Sequence, residues 1–165
     1  MSSTLDRLDA ELLALLEDDP RTGVVELAER LGTSRATVQA RMTRLRDSGV
    51  LRGFRVALDP ELLGVPVTAL VSIDLSQGSL ADALVALTDL PHVLEVLTCT
   101  GDADLVVRVA AESNSQLQDL IQEVLLIPGV VRTTTQIVLT TPVPYRVQPL
   151  LHHLTRSSGR GRARA

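Results

Sequence analysis

Residues 24–51 restrict the fold of this chain more than any other stretch, because they predict two helices joined by a tight Gly-Thr-Ser turn. In the first helix, apolar residues recur at the spacing of one helical face, at Val24, Leu27, Ala28 and Leu31. Gly32 is the residue type expected just past a helix end, and Ser34 can cap the next helix through its side-chain oxygen. The segment therefore predicts a helix-turn-helix unit.

The second helix of this pair, which Gly49 ends, has a basic exposed surface. Its inward positions are Val38, Met42 and Leu45. Its polar positions form two ridges, Arg35, Gln39, Thr43 and Arg46 on one and Thr37, Arg41 and Arg44 on the other. These include four arginines, whereas the whole chain has a net charge of −4. A basic, hydrogen-bonding helix behind a three-residue turn is typical of insertion into the DNA major groove. The alternative is a solvated, arginine-rich surface helix.

The start of this helix is the part that we expect to contact base edges. Arginine can donate two hydrogen bonds to guanine and glutamine can pair with adenine. The candidate base-reading residues are Arg35, Thr37, Gln39 and Arg41, and Ser34 precedes them in the DNA-binding set. The residues expected to hold phosphates, which set register without reading sequence, are Arg44, Arg46, Arg52 and Arg55. For Arg41, an ion pair with an acid such as Glu26 or Glu29 is the alternative.

Composition narrows the class of protein. A pI near 5.3 argues against coating nucleic acid by bulk charge, but allows positive charge concentrated on one helix. Hydrophobic residues make up 45% of the chain and Phe54 and Tyr145 are its aromatic residues, so the core must be aliphatic. Cys99 is the single cysteine, which excludes an intrachain disulfide and fits a reducing compartment. The longest charge-free apolar stretch, residues 62–73, is too short for a membrane span, so we expect a cytoplasmic protein without membrane contact.

Changes in pattern divide the chain into segments. Residues 1–52 predict the helix-turn-helix domain, which includes an amphipathic helix from Leu5 to Glu17. Residues 53–65 predict an extended wing or linker, and residues 66–145 predict a second domain. Residues 146–165 predict a disordered tail rich in Arg, Gly and Ser, which either adds phosphate contacts or has no role.

The second domain contains a weak internal repeat of strand, helix, Pro-x-Val and strand. The predicted elements cover residues 67–75, 79–90, 93–100, 104–110, 113–127 and 131–139. Their order is βαββαβ, the ferredoxin-like arrangement, so the whole chain predicts an α+β protein. Helices cover one face of such a sheet, and a second subunit is the usual cover of the other face. We therefore expect a homodimer formed through this domain.

Several short motifs, in their order and spacing, resemble the Lrp/AsnC family of transcription regulators from Leu5 to about Tyr145. In the first half the matching residues are Leu8, Asp9, Glu26, Leu27, Ala28, Gly32, Ser34, Val38, Arg41, Arg44, Leu45, Gly49, Val50, Leu51, Gly53, Phe54, Leu63 and Gly64. In the second half they are Thr100-Gly101-Asp102-Ala103-Asp104, Ile127-Pro128-Gly129-Val130 and Thr133-Thr134-Thr135. The resemblance implies a winged helix-turn-helix followed by a ligand-sensing domain. It also implies dimers that commonly assemble into octamers, and a free amino acid as effector.

The resemblance directs attention to one loop and one strand as an effector site. The candidate residues are Thr100, Gly101, Asp102, Ala103, Asp104, Thr133, Thr134 and Thr135. Asp102 or Asp104 could accept from an ammonium group, while backbone N–H groups around Gly101 and the threonine hydroxyls could donate to a carboxylate. The alternative is that Gly101-Asp102 only forms a hairpin turn. Ala103 stands where family members often carry an aromatic residue, which implies a larger pocket, a different ligand or loss of sensing.

Two other functional classes compete with this hypothesis. Asp102 and Asp104 are spaced closely enough for acid–base or metal chemistry. However, the three histidines fit no ligand spacing and no nucleophile or phosphate-loop motif is present, so we expect no enzyme, metal or cofactor. The second alternative is an architectural protein that bridges DNA without an effector. The favoured hypothesis is a DNA-binding regulator that reads a roughly palindromic site in double-stranded DNA as a dimer and senses a small molecule.

Overall fold

The structure is a computed structural model that describes residues 5–156. These residues fall into two units, one made of residues 5–56 and 144–156 and the other of residues 57–143. The first unit is helical and the second is built on an antiparallel sheet with helices. The predicted α+β architecture is therefore confirmed.

The first unit begins with α1 (Arg7–Asp18), α2 (Val24–Leu31) and α3 (Arg35–Asp47). Asp6 caps α1 by a reciprocal capping box with Asp9, in which each side chain accepts from the other's backbone N–H. Gly32 ends α2 with φ +61°, and the Ser34 side chain caps α3 by accepting from the Thr37 N–H at 3.1 Å. The local signals of the sequence thus set the boundaries of the turn.

These three helices enclose an aliphatic core. Its buried members are Leu8, Leu12, Leu16, Leu27, Ala28, Leu31, Val38, Met42 and Leu45. Each helix contributes one apolar face, which fixes the side of α3 that faces outward.

The segment after α3 does not form a β-wing. Residues 52–59, all of which the structure describes, lie in no helix or strand. Asp59 and Pro60 then begin a turn in which the Val65 N–H donates to the Pro60 carbonyl. A wing needs a second strand for its first strand to pair with, and this turn leads directly to the sheet of the second unit. Of the wing or linker expected over residues 53–65, residues 53–59 therefore contain no wing strand within this chain and join the two units as a linker.

A further helix, α6 (Gln148–Thr155), belongs to the first unit and packs against α1. Leu151 and Thr155 are its buried residues, while His152 and His153 are exposed. The prediction of a disordered tail from residue 146 is therefore wrong for this stretch, because the buried face of a short helix offsets the polar composition around it. Residues 157–165 of the predicted tail lie outside the described residues.

The second unit contains β1 (Val67–Leu75), α4 (Leu80–Asp89), β2 (Val93–Thr98), β3 (Leu105–Ala111), α5 (Asn114–Leu125) and β4 (Val130–Ile137). The strands lie in the order β2-β3-β1-β4, and each adjacent pair is antiparallel. This is the predicted βαββαβ arrangement, with β1 and β3 in the centre of the sheet.

Alternation along the central strands gives the sheet two different faces. On the inner face, Val71 pairs with Val107 and Ile73 with Leu105, and these side chains are buried with residues of α4 and α5. The opposite face, called the open face below, includes Leu70, Ser72, Leu97, Val106, Arg108, Thr134 and Gln136.

In the part of the chain that is described, no helix is long and apolar enough to cross a membrane.

Candidate nucleic-acid interface and effector site

The outer face of α3 lies opposite its buried residues and carries small and amide side chains. Its members are Ala36, Gln39, Ala40 and Thr43, which line a shallow surface groove together with Arg44, Asp47 and Ser48. Gln39 and Thr43 can make hydrogen bonds to base edges, and an alanine methyl can contact a thymine methyl. The small residues Ala36 and Ala40 also allow a duplex to approach the helix axis closely. The outer face is thus suited to the floor of a major groove.

Basic residues flank this outer face on both sides. Arg35 and Arg46 lie on one flank, and neither forms an ion pair with any residue from 5 to 156. Arg44 lies on the other flank, with its side chain 44% exposed. Arg52 follows α3 and is also exposed. Positive charge therefore lies on both sides of the outer face, which is the arrangement that phosphate contacts on either side of a groove require.

Ser34 and Thr37 are engaged with each other at the start of α3. The two hydroxyl oxygens lie 2.8 Å apart, and Ser34 also accepts from the Thr37 N–H. Ser34 is exposed and Thr37 is partly exposed, and their mutual bond fixes the first turn of the helix.

Arg41 points towards α1 instead of outward. Its Nη1 donates to Asp6 Oδ1 at 2.8 Å and to Asp9 Oδ1 at 2.7 Å, and its side chain is 14% exposed. Its position on α3 lies next to the buried Val38 and Leu45, so its guanidinium is directed into the packing with α1. The assignment of Arg41 to base reading is therefore corrected. An intramolecular ion pair forms, with Asp6 and Asp9 as partners in place of the expected Glu26 or Glu29.

Asp9 is the centre of this charged cluster. Its side chain is fully buried, and its carboxylate accepts from the Asp6 N–H, from Arg41 and from Arg44. Burial alone would raise the pKa of this carboxyl, but the hydrogen bonds from Asp6, Arg41 and Arg44 outweigh it and hold the pKa below its ordinary value. Burial alone would lower the pKa of Arg41, but its hydrogen bonds to the carboxylates of Asp9 and Asp6 outweigh burial and raise it. The cluster is charged at neutral pH and fixes α3 against α1.

Asp6, Asp9 and the alanines of the outer face, Ala36 and Ala40, are not among the predicted site residues. Asp9 stands four residues after Leu5 and three before Leu12, on the apolar face of its helix. A carboxylate at such a position signals a buried cationic partner. Ala36 and Ala40 are spaced by four residues opposite the core, which is the signal for an outward stripe.

The predicted effector loop, Thr100–Asp104, lies at one end of the central strands. Asp104 anchors it, because its N–H donates to the Ile73 carbonyl at 3.0 Å and its carboxylate accepts from the Leu75 N–H at 2.7 Å. One oxygen of this carboxylate is therefore occupied by backbone. Gly101 has φ +121°, a conformation that favours glycine, and Asp102 is exposed beside it.

The three threonines of β4 do not lie beside this loop. Ile73 of β1 pairs with Leu105 on one side and with Thr133 on the other, so β1 separates the loop from the threonines. Thr133 and Thr135 project from the helix-covered face and Thr134 from the open face. The expectation that these residues adjoin the loop is therefore wrong within one chain.

A cavity of about 250 Å³ lies next to the loop, and part of its wall is formed by residues of the β1–α4 turn that are not among the predicted site residues. Its lining residues are Leu75, Ser76, Gln77, Gly78, Leu80, Thr98, Cys99 and Asp104. The Ser76 N–H donates to the Gly129 carbonyl at 2.8 Å, so the Ile-Pro-Gly-Val turn supports this wall from behind. The cavity places a carboxylate beside hydroxyl and amide groups.

Comparison with known protein families accounts for both units. The model of the AsnC-type helix-turn-helix domain matches residues 5–46, and the model of the Lrp/AsnC ligand binding domain matches residues 68–148. The regulator FL11 of Pyrococcus horikoshii is 31% identical over 141 residues, which cover 86% of this chain and 93% of FL11. The chain belongs to the Lrp/AsnC family.

Solved structures of Lrp/AsnC regulators have the same architecture. The structure of Escherichia coli AsnC is 31% identical, covers 89% of this chain and 100% of AsnC, and has a TM-score of 0.82. A transcriptional regulator of Neisseria meningitidis, NMB0573, has a TM-score of 0.81 at 23% identity, over 89% of this chain and 99% of that one, which shows a shared fold. The Lrp/AsnC relatives are transcriptional regulators, so this chain is a DNA-binding transcriptional regulator with a ligand-binding domain and not an enzyme.

Proposed function

We propose that this regulator reads a roughly palindromic operator as a homodimer and that a free amino acid controls its binding. The observation that carries the proposal is the outer face of α3, where Gln39 and Thr43 lie exposed between flanking arginines. A dimer would present two such helices to half-sites about one helical turn apart.

Within α3 we assign different roles to the outer face and to its flanks. Gln39 has the donor and acceptor geometry to pair with adenine, and Arg35 is placed in the first turn to reach guanine. Arg44, Arg46 and Arg52 would hold phosphates, which contributes affinity without sequence preference.

An operator selected from random DNA by the full chain provides the test of these roles. Gln39→Ala is expected to relax the base preference at one position of each half-site by about 1–3 kcal/mol. Arg46→Ala should weaken binding to all sequences alike and reduce the slope of log affinity against log salt by about 0.9 per half-site. Arg21→Ala, which removes the same charge from the α1–α2 loop, is the control. Unchanged base preference in Gln39→Ala would contradict the assignment.

The open face of the sheet is the surface that we propose for dimerisation. On this face Leu97 and Val106 are cross-strand neighbours and Leu70 lies diagonally across from Val106, so the three form an apolar group. The ion pairs of Arg108 with Glu95 and of Arg132 with Asp74 lie next to this group, with Arg108 directly opposite Leu70. Covering this face with a second copy would bury the apolar group, as subunit interfaces of two-layer sheets do. Further assembly, up to an octamer, would use other surfaces.

Light scattering after size-exclusion chromatography measures this assembly. Val106→Arg is expected to convert the protein to monomers, because it places a charge within the apolar group of the open face. Val85→Arg, on the exposed side of α4, introduces the same side chain elsewhere and should leave the oligomer intact. A Val106→Arg variant that elutes as the wild-type oligomer would refute the proposed interface.

For the effector we propose a free amino acid bound beside the Thr100–Asp104 loop. The exposed carboxylate of Asp102 and the second oxygen of Asp104 are acceptors for an ammonium group, and the adjoining cavity has room for a small side chain. Ala103 is partly buried in the loop and contributes little volume. The Neisseria regulator that shares the fold was solved as an L-Met complex, so methionine belongs in the first panel of ligands.

Operator affinity measured with and without each of the common free amino acids tests the sensor hypothesis. One or more amino acids should shift the affinity, and Asp102→Asn should reduce that response while leaving ligand-free DNA binding unchanged. Asp119→Asn, an exposed acid on α5, is the matched control. Indifference to the whole panel, combined with compaction of DNA that carries many sites, would instead select the architectural alternative. We propose the cytoplasm as the compartment in which this transcriptional regulator acts.

A further inference from the structure

Arg44 lies at the boundary between the outer face of α3 and the buried cluster on α1. Its Nη2 donates to Asp9 Oδ2 at 2.5 Å, although its side chain is 44% exposed and lines the same groove as Gln39 and Thr43. A guanidinium has five N–H donors in one plane, and this contact uses one nitrogen. The remaining donors are available on the solvent side.

The carboxylate that holds Arg44 is itself held by several contacts. Asp9 is fully buried, its Oδ1 accepts from Arg41 at 2.7 Å, and its Oδ2 also accepts from the Asp6 N–H at 3.0 Å. Asp9 also lies in the first turn of α1, whose position is fixed by the apolar core. Arg44 is therefore attached to a rigid anchor, in contrast to Arg46 on the opposite flank.

We propose that Asp9 is a positioning residue for DNA binding: it orients the Arg44 guanidinium so that its free N–H groups meet a phosphate at the edge of the groove. The proposal rests on the phosphate-binding role assigned to Arg44 above. A long side chain loses rotational freedom when it binds, and the contact with Asp9 removes part of that freedom before DNA arrives. The planar fork allows one guanidinium to contact a carboxylate and a phosphate at once, which a lysine ammonium does with less geometric control.

Charge alone predicts the opposite effect, which makes the proposal testable. Asp9→Asn removes a negative charge close to the DNA-binding surface, and that change by itself strengthens binding to a polyanion. If Asp9 orients Arg44, Asp9→Asn should instead weaken binding. Glu29→Gln removes the same charge from an exposed position on α2 and is the control for the electrostatic effect.

The experiment is a double-mutant cycle of full-length protein on its selected operator, measured over a range of salt. Arg44→Ala should weaken binding about tenfold and reduce the salt slope by about 0.9 for each half-site. Asp9→Asn should weaken binding by about fivefold in the wild-type background, whereas in the Arg44→Ala background only its charge effect remains, so it should bind as tightly as Arg44→Ala or more tightly. Glu29→Gln should bind as tightly as wild type or more tightly in both backgrounds. Thermal unfolding followed by circular dichroism identifies the temperature range in which every variant is folded.

A second variant tests the proposal without touching the buried carboxylate. Arg44→Lys keeps the charge of position 44, so it should retain the salt slope but lose several-fold in affinity if orientation by Asp9 matters. Wild-type affinity in Arg44→Lys, or an Asp9→Asn effect that persists unchanged in the Arg44→Ala background, would overturn the positioning role. No effect of Arg44→Ala would overturn the phosphate assignment itself, and the positioning role with it.

Discussion

Arg41→Ala is expected to destabilise the first unit, although Arg41 lies on α3, the helix that we propose contacts DNA. Its guanidinium makes hydrogen bonds of 2.7–2.9 Å to the carboxylates of Asp6 and Asp9. Asp9 is fully buried, and Asp6 has 17% of its side chain exposed. Removing Arg41 leaves both acids in place with only Arg44 and backbone N–H groups as partners.

The size of the destabilisation in Arg41→Ala depends on the partners that Asp6 and Asp9 retain. Breaking a buried ion pair by deleting one member costs about 3–5 kcal/mol, because the other charge stays buried without compensation. Here Arg44 still donates to Asp9, and Asp6 can gain water, so a value of about 2–4 kcal/mol is expected. For a domain of this size, each kcal/mol lowers the melting temperature by about 4–8 °C.

Hydrogen exchange measured by mass spectrometry is the suitable assay, because it reports on each unit separately. Amides of α1 and α3 should exchange about a hundredfold faster in Arg41→Ala, which corresponds to about 3 kcal/mol. Amides of the central strands β1 and β3 should be unaffected. Arg46→Ala on the same helix is the matched control, since Arg46 is exposed and forms no ion pair with residues 5–156. It should change stability by less than about 0.5 kcal/mol while weakening DNA binding.

The opposite pattern would refute this reasoning. If Arg41→Ala left exchange of α1 and α3 within error of wild type but abolished operator binding well below the melting temperature, Arg41 would be a DNA contact. The ion pairs with Asp6 and Asp9 would then contribute little to stability.

Three further predictions concern the pH dependence of the Asp9 cluster, two glycine turns and the packing of α6. The pKa of Asp9 in the folded state is lowered from 3.8, so the stability that this carboxylate contributes is complete above about pH 4 and is lost as the pH falls through its folded-state pKa. Acid unfolding followed by circular dichroism should show a smaller loss of stability in Arg41→Ala than in the wild type. Gly129→Ala should cost more than about 2 kcal/mol in urea unfolding, because φ is +90° and the new carbon would lie 2.1 Å from a serine carbon of the β1–α4 turn. Gly78→Ala, with φ +86° and nothing within 4 Å, should cost about 1 kcal/mol. Leu151→Ala on α6, at 8% exposure, should destabilise the first unit by about 2 kcal/mol, whereas Leu154→Ala, at 61%, should be nearly neutral; equal effects of the two would contradict the packing of α6 on α1.

The helix-turn-helix could be predicted because its signals are local. Gly32 and Ser34 determine where α2 ends and α3 begins through their own backbone and side-chain preferences. The direction of Arg41 could not be predicted in the same way. Polar residues beside the apolar face of a helix either reach solvent or pair with the neighbouring helix, and the choice depends on which residue of α1 packs opposite.

In the second unit, the periodicity of apolar residues predicted the order of strands and helices, but it did not predict that the Thr100–Asp104 loop and the threonines of β4 lie apart. Alternating apolar residues mark the strands, and the βαββαβ order implies the pairing of β1 with β3. The position of Thr133 relative to Asp104 depends instead on which strand occupies the centre of the sheet. Because β1 lies between β3 and β4, Asp104 and Thr133 lie on opposite sides of β1.

Around α6 the composition and the spacing of the sequence point to different structures. Val147, Leu150, Leu151 and Leu154 have the spacing of one helical face, and Pro149 suits the first turn of a helix. The Arg, Gly and Ser residues that follow suggested disorder for the whole stretch. A short amphipathic segment gains its stability from the surface on which it packs, and that surface on α1 is not visible in the segment itself.

Asp9 on α1 and the arginines on α3 together restrict how α3 is rotated about its axis. An aspartate on an apolar face is unfavourable unless a cation reaches it, and α3 offers arginines at positions 41 and 44 on the side that faces α1. The ion pair adds little net stability compared with an apolar pair of the same volume. Its benefit is geometric, because hydrogen bonds of defined direction permit one rotation of α3 about its axis where apolar packing tolerates several. That rotation determines which residues form the outer face, so under the proposed function the buried Asp9 would set which side chains α3 presents to DNA.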